Sequence, residues 1–199
     1  MMNSVHRELI LVGGNPGTGK TTIGRLLAQA LGYGLVDKDS ATCAMTEGIL
    51  KALGRDKNDR ESESYARHVK PLEYETILNI VRDNLDIGHS MICTAPFTSL
   101  FRDPQWIGRM ETLASTSAAR LSLIWMTADA SATRARIIHR AADMDKWKIE
   151  FWQEYRASLP VEPPSHERII LADNTLDNNM DNVVRSILDK LESRNSMLV

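Results

Sequence analysis

The sequence predicts a three-layer α/β fold in which a five-stranded parallel sheet carries helices on both faces. Five short apolar runs alternate with segments of helical character, which is the pattern of β-α-β units. The first apolar run leads directly into a glycine-rich loop. At 199 residues, 43% of them hydrophobic, the chain is long enough for one well-buried domain and short for two. We therefore expect a single domain over residues 1–199.

The predicted strands are apolar runs flanked by polar residues or glycine. They cover residues 9–12, 35–36, 91–94, 121–126 and 168–172. The predicted helices cover residues 21–31, 71–87, 130–140 and 182–192. In the first helix, Ile23 and Leu27 recur at helical spacing, and Gly32 lies where a helix stop is expected. In the second helix, Pro71 suits the first turn and Gly88 follows the end.

The loop after the first strand, residues 14–21, reads GNPGTGKT and fits Gly-x-x-x-x-Gly-Lys-Ser/Thr. Its glycines allow the backbone to turn tightly and to aim N–H groups at a phosphate. Lys20 can reach the β- and γ-phosphates, and the Thr21 hydroxyl can bind Mg²⁺ at the positive end of a helix. The alternative is a glycine-rich turn without a ligand. The motif predicts a nucleoside triphosphate site formed by Gly14, Asn15, Pro16, Gly17, Thr18, Gly19, Lys20, Thr21 and Thr22.

Two carboxylates follow the second predicted strand, where Asp37 and Asp39 are separated by one residue. Ligands of open α/β sheets bind at this end of the strands. A carboxylate there can accept a proton from an attacking hydroxyl or hold a water molecule of a Mg²⁺ shell. The alternative for Asp39 is that it caps the helix expected after Ser40.

Two arginines after the fourth predicted strand, Arg136 and Arg140, are four residues apart and therefore share one face of the predicted helix. Two guanidinium groups on one side of a helix suit a γ-phosphate whose charge redistributes during transfer. The alternative is a basic helix that faces solvent.

With these motifs the sequence resembles the P-loop kinases of small substrates. This group, with an AAA-type ATP-binding domain, includes shikimate kinase, gluconate kinase, chloramphenicol phosphotransferase, polynucleotide kinase and the zeta toxins. The resemblance covers nearly the whole chain and implies a P-loop NTPase fold. It also implies a helical lid over residues 134–155 that carries Arg136 and Arg140. The catalytic residues that it implies are these two arginines and Lys20.

The same resemblance assigns the acceptor side of the site. It implies that Asp39 contacts the acceptor hydroxyl and is catalytic. It places an acceptor-binding insertion at residues 40–75, in which Arg67 and Tyr74 bind the acceptor. The turn at residues 173–175 is similar to the one that flanks the adenine ring in these kinases.

The third predicted strand departs from the commonest pattern, because it ends in Thr94-Ala95-Pro96-Phe97 without a Walker B aspartate. In motor ATPases and most GTPases that acid holds Mg²⁺ through water and supports hydrolysis. Its absence favours transfer to an acceptor, with Asp37 or Asp39 completing the metal shell. It also leaves Thr94 and Phe97 to line the acceptor pocket.

The composition limits the kinds of partner that we expect the protein to bind. The net charge of −2 provides no basic field, which argues against nucleic acid as a partner. No apolar stretch approaches the roughly 20 residues of a membrane span, and the first ten residues lack a long apolar signal core. We expect a cytoplasmic monomer or homodimer that acts on a small diffusible molecule and has no membrane partner.

The sequence therefore predicts a kinase that uses ATP and Mg²⁺ to phosphorylate a hydroxyl of a small-molecule acceptor. One alternative is a nucleotide, nucleotide-sugar or polynucleotide 5′-kinase. Another is a non-catalytic, nucleotide-dependent switch, because residues 174–177, Asn-Thr-Leu-Asp, partly imitate a guanine-reading Asn-Lys-x-Asp sequence.

Overall fold

The five predicted strands form one parallel sheet in the computed structural model, which describes residues 7–160, 162–175 and 179–197. The strands are β1 Arg7–Gly14, β2 Gly34–Asp37, β3 Met91–Thr94, β4 Ala119–Thr127 and β5 Ile169–Asp173. Their order across the sheet is β2-β3-β1-β4-β5, and every neighbouring pair is parallel. The predicted five-stranded parallel sheet is confirmed.

Eight α-helices accompany the sheet within the described residues. They are α1 Lys20–Leu31, α2 Lys38–Ala52, α3 Lys70–Asp86, α4 Pro104–Thr116, α5 Ala130–Arg140, α6 Lys146–Glu150, α7 Trp152–Ser158 and α8 Met180–Met197. A π-helix, Tyr65–Val69, leads into α3, and short 3₁₀ turns occupy Leu100–Arg102 and Asp143–Asp145. No helix in the described part of the chain combines the length and the apolar character needed to cross a bilayer.

Alternation along β1 divides the core into two layers. Leu9 and Leu11 face the side covered by α3 and α4, whereas Ile10 and Val12 face the side covered by α1 and α8. All four side chains are fully buried, as expected for a central parallel strand that carries helices on both faces. The predicted three-layer arrangement is therefore confirmed.

The strand order places the glycine-rich loop at the centre of the sheet. β1 lies between β3 and β4. The chain therefore builds β2 and β3 on one side of β1 and then adds β4 and β5 on the other side. Such a reversal opens a crevice beyond the carboxyl ends of the strands, where ligands of α/β folds bind. In register across this edge, Asp37 of β2 pairs with Thr94 of β3, and Val12 of β1 pairs with the same threonine.

Candidate active site

The loop between β1 and α1 depends on its glycines. Gly17 and Gly19 have φ angles of +81° and +90°, in the left-handed region that glycine adopts at little cost. A Cβ atom on Gly19 would also overlap the side-chain amide of Asn174. The loop ends directly at Lys20, the first residue of α1, so the positive end of that helix lies at the loop.

The Lys20 ammonium lies on the backbone of the same loop. Its Nζ donates to the Asn15 carbonyl oxygen at 2.8 Å, and the buried Thr18 hydroxyl donates to that oxygen at the same distance. Burial lowers the pKa of Lys20 to about 8, an effect opposed by the charge of Asp39 and reinforced by that of Arg140. An anion at this position would favour the charged form of the lysine.

Asp37 connects three elements at the mouth of the crevice. Its Oδ2 accepts hydrogen bonds from the Thr21 hydroxyl at 2.9 Å and from the Thr94 hydroxyl at 2.6 Å. Its Oδ1 accepts from the backbone N–H of Ser40 at 3.0 Å, which makes Asp37, and not Asp39, the N-cap of α2. Burial raises the pKa of Asp37, but the hydrogen bonds from Thr94, Ser40 and Thr21 outweigh it and hold the pKa below its usual value.

The oxygen atoms around Asp37 fit a magnesium ion that also binds phosphates. The Thr21 hydroxyl and the Asp37 carboxylate are hard oxygen ligands 2.9 Å apart. Mg²⁺ is commonly held by one or two protein oxygens, with water and substrate phosphates completing its shell. No group of three or more His, Cys, Asp or Glu side chains in the described residues could hold a metal by itself, so a metal here would need the phosphates.

Asp39 lies in the first turn of α2 and faces the same cavity as Lys20 and Thr21. The cavity has a volume of about 320 Å³. The Asp39 side chain is 51% exposed and forms an ion pair with Lys38 at 2.9 Å. A carboxylate that is open on one side and held on the other can receive the hydroxyl of a bound molecule.

Lys38 and Glu73 form a buried network that the sequence did not predict. Both side chains are almost fully buried, and their charged atoms lie 2.8 Å apart. The hydroxyls of Tyr65 and Thr46 each donate to the Glu73 carboxylate at 2.7 Å. Lys38 therefore links buried Glu73 to half-exposed Asp39 and fixes α2 against α3.

Replacing Glu73 with alanine should destabilise the fold by about 3–5 kcal/mol, because it leaves the Tyr65 and Thr46 hydroxyls without their acceptor and removes the buried partner of Lys38. Glu75, which is exposed on the same helix, provides the matched control, and Glu75→Ala should change stability by less than about 0.5 kcal/mol. Urea unfolding at pH 7 measures both. Equal losses in the two variants would show that the network contributes nothing beyond helix propensity.

The two predicted lid arginines have different partners. Arg140 lines the cavity and its Nε donates to buried Asp145 at 2.8 Å. Arg136 lies outside the cavity lining, and its Nη1 donates to the backbone oxygen of Asn174 at 2.7 Å. The expectation that both guanidiniums converge on one γ-phosphate is therefore not met in this conformation, because the loop after β5 holds Arg136.

Asn174 joins that loop to the phosphate-binding loop. It is fully buried, and its Nδ2 donates to the Thr18 carbonyl oxygen at 2.9 Å. A buried amide that binds Thr18 and Arg136 is part of the scaffold between the loop and α5. Leu176 and Asp177, which complete the guanine-reading alternative, lie outside the described residues.

Three of the five predicted acceptor residues line the cavity, namely Asp39, Tyr74 and Thr94. Phe97 does not, because it is fully buried and its ring stacks on Phe101 at a centroid distance of 5.1 Å. Arg67 is exposed on the π-helix and is absent from the cavity lining. The prediction that Phe97 contacts the acceptor is corrected, because Phe97 packs the core. The role of Arg67 stays a prediction.

A larger depression of about 700 Å³ lies at the other end of the sheet, near the start of β4 and β5. None of the loop residues lines it. Within it, Arg168 pairs with Glu111, and Arg194 donates to backbone oxygens. The chemistry expected from the sequence belongs to the smaller cavity at Lys20.

One family model, described as an AAA domain, matches residues 9–163 of the chain. The chain belongs to this family. This AAA domain protein is 38% identical over 74 residues to the shikimate kinase of Chlorobium phaeobacteroides. That match covers 37% of this chain and the same share of the kinase.

Two solved structures show the fold of this AAA domain protein over almost its full length. A gluconokinase from Sinorhizobium meliloti is 18% identical, with a TM-score of 0.60, and the match covers 97% of this chain and 96% of that one. A sugar kinase from a Janibacter species is 16% identical, with a TM-score of 0.62, over 94% and 95% of the two chains. These likenesses confirm the predicted P-loop NTPase fold. The family model confirms the family resemblance.

Proposed function

We propose that this protein transfers the γ-phosphate of ATP to a hydroxyl of a small-molecule acceptor. The observation that carries the proposal is the single cavity shared by Lys20, Thr21 and the half-exposed carboxylate of Asp39. Phosphate ligands and a candidate base are thereby brought together at the end of one sheet. A protein that only bound nucleotide would have no need of an open carboxylate beside the phosphates.

In the proposed reaction, the loop amides and the positive end of α1 bind the phosphates, and Lys20 exchanges the Asn15 carbonyl for phosphate oxygens. Asp39 orients the acceptor hydroxyl and accepts its proton, while Lys38 fixes the carboxylate from the buried side. Arg140 lines the cavity and neutralises charge on the transferred group. Mg²⁺, held by Thr21 and Asp37 together with the phosphates, would supply further charge neutralisation.

The proposal is tested by an acceptor screen that follows ADP release above the background measured without acceptor. We expect a small alcohol to raise ADP release in the presence of Mg·ATP and to yield a phosphorylated product by mass spectrometry. Competition between ATP and GTP, measured in the same assay, separates an ATP-dependent kinase from a guanine-reading switch. Tight nucleotide binding with no phosphorylated product from any hydroxyl compound would contradict the proposal.

ATP affinity should fall as the pH rises above 8, because the pKa of Lys20 in the free protein is about 8. Below that pH the free protein carries the ammonium, and above it phosphate binding must take up a proton. The dissociation constant for ATP should then rise by up to roughly tenfold per pH unit between pH 8 and 10. Calorimetry in buffers of different ionisation enthalpy measures the uptake directly.

Lys20→Arg is the control for this titration, because arginine remains charged throughout the range. The variant should bind Mg·ATP with an affinity that is independent of pH between 8 and 10. The same pH dependence in both proteins would assign the titration to another group.

Arg140→Ala should lower kcat by about tenfold or more while changing nucleotide affinity less, because the guanidinium is proposed to act mainly in the transition state. Arg136→Ala should have a smaller effect on kcat, since Arg136 binds the loop after β5. His139→Ala, an exposed change on the same helix, is the control. Steady-state kinetics with an identified acceptor distinguishes the three, and a normal kcat for Arg140→Ala would remove this arginine from the proposed mechanism.

A further inference from the structure

The wall of the cavity at Lys20 is positively charged, although the whole chain has a net charge of −2. Six basic and four acidic side chains line it. Each acid already has a partner: the contacts are Asp37 with Thr21, Asp39 with Lys38, Glu61 with Lys148, and Asp145 with Arg140. Among the cations, Lys20 is assigned to the ATP phosphates. Arg60 and Lys70 form no ion pair with the described residues, so the positive charge of these two side chains is not neutralised by an ion pair there.

Arg60 is held in place without having its charge satisfied. Its Nη1 atom is buried and has no hydrogen-bond partner among the described residues. The guanidinium lies over the ring of Tyr65, 5.6 Å from the centroid, and the Tyr65 hydroxyl is fixed by its 2.7 Å bond to Glu73. A buried donor of a charged group is costly when it is unpaired, and a guanidinium matches carboxylate and phosphate oxygens closely.

Tyr155 of α7 brings a second unpartnered atom to the same cavity. The residue is only 4% exposed, and its hydroxyl is buried without a hydrogen-bond partner in the described part of the chain. Burial raises the pKa of this hydroxyl, and the charges of Asp145 and Glu61 raise it further, so it remains a proton donor at neutral pH. Arg60 and Tyr155 come from separate segments of the chain and line one cavity, and each carries a buried donor without a partner among the described residues.

We infer that the acceptor carries an anionic group in addition to its reactive hydroxyl, and that Arg60 and Tyr155 bind this group. The ligand is an alcohol with a carboxylate or a phosphate ester, and Lys70, exposed at the cavity wall, adds charge attraction. The anion satisfies the two buried donors while the hydroxyl lies at Asp39. This inference rests on the proposed phosphotransfer and narrows its substrate class.

The test uses the full chain saturated with Mg²⁺ and the non-hydrolysable ATP analogue AMP-PNP, so that the phosphate-binding loop is filled. Calorimetric titrations compare glycerol, glycerate and glycerol 3-phosphate, and then the six-carbon series glucitol, gluconate and glucitol 6-phosphate. We expect at least one anionic compound to bind about tenfold tighter or more than its neutral counterpart. The more tightly bound of the two anions identifies carboxylate or phosphate as the recognised group.

Arg60→Met and Tyr155→Phe should each reduce that preference for the anion. Tyr155→Phe keeps the ring and so preserves the packing of α7. Arg55→Met, which removes an exposed arginine of the same loop outside the cavity lining, should leave the preference unchanged. Equal binding of neutral and anionic compounds, or an anion preference that survives Arg60→Met, overturns the inference.

Binding of AMP-PNP, measured first, separates this inference from the proposed function. If Mg·AMP-PNP does not bind, the proposed phosphotransfer fails, and the inference fails with it. If the nucleotide binds but no anion is preferred in either series, the proposed phosphotransfer survives and only the anionic acceptor is refuted.

Discussion

Lys20→Ala should weaken Mg·ATP binding by roughly 30-fold or more, which corresponds to a loss of about 2 kcal/mol or more for truncating one partner of a buried charge contact. The variant should remain folded, because the only hydrogen bond that Lys20 is seen to make in the described residues goes to a carbonyl of its own loop. Calorimetry with Mg·AMP-PNP measures the affinity, and circular dichroism reports the fold.

Lys51→Ala is the control for this result, since Lys51 is exposed at the end of α2 and lies outside the cavity lining. It should bind the nucleotide as the parent protein does. A folded Lys20→Ala variant with unchanged affinity would remove the phosphate-binding assignment of the loop. The proposed function would fail with it, because every later step uses phosphates held there.

The parts of the fold that could be predicted are those that depend on short, contiguous stretches of sequence. The five strands are short apolar runs between polar residues, and the loop motif fixes how β1 joins α1. A helix was expected after Ser40, but the extent of α2 was not predicted, because its buried stripe is mostly polar and consists of Lys38, Thr42, Thr46 and Leu50. Spacing by four indicates a helix only when the spaced residues are recognised as buried.

The sequence at the start of helix α4 contains a helix-start signal. Asp103 and Pro104 form the start expected of a helix, with an acidic N-cap followed by proline at the first position. The Asp103 side chain accepts a hydrogen bond from the backbone of Gln105 at 2.9 Å, as that pattern predicts. This element could have been derived from the sequence, whereas the polar face of α2 could not.

The candidate site, like the fold, has residues that local sequence predicts and residues that only the folded chain brings together. Lys20 and Thr21 belong to a contiguous motif, so the sequence alone predicts them as phosphate and metal ligands, and the fold brings both to one cavity. Arg60 and Tyr155 are nearly 100 residues apart and reach one cavity only through the folded chain. Phe97 shows the opposite error, because its position after a strand indicated a pocket, whereas the rings of Tyr74, Phe101 and Trp106 pack against it in the core.

Asp39→Asn should lower kcat by roughly 10²- to 10⁴-fold with an identified acceptor while ATP still binds. Asparagine keeps the shape of the side chain but cannot accept a proton. The ion pair with Lys38 is also lost, although Lys38 retains its buried contact with Glu73. Rapid-quench measurement of a single turnover isolates the chemical step from product release.

Asp37→Asn provides the contrast that gives this result its meaning. Asparagine is as good an N-cap as aspartate, so α2 should be retained. The lost charge lies beside Thr21, so the variant should need more Mg²⁺ for half-maximal activity, which a magnesium titration measures. Two carboxylates two residues apart would thus fail in different ways, one in the metal requirement and the other in the rate.

The size of the Asp39→Asn effect also reports on the mechanism. If the transferring phosphoryl group is loosely bonded in the transition state, little proton transfer has occurred there, and Asp39 acts mainly by positioning the hydroxyl. The loss should then lie near the lower figure, because asparagine still accepts a hydrogen bond. A loss near the higher figure indicates that the proton moves with the phosphoryl group. Near-normal turnover in a folded Asp39→Asn variant would contradict both mechanisms and leave Asp39 as a surface partner of Lys38.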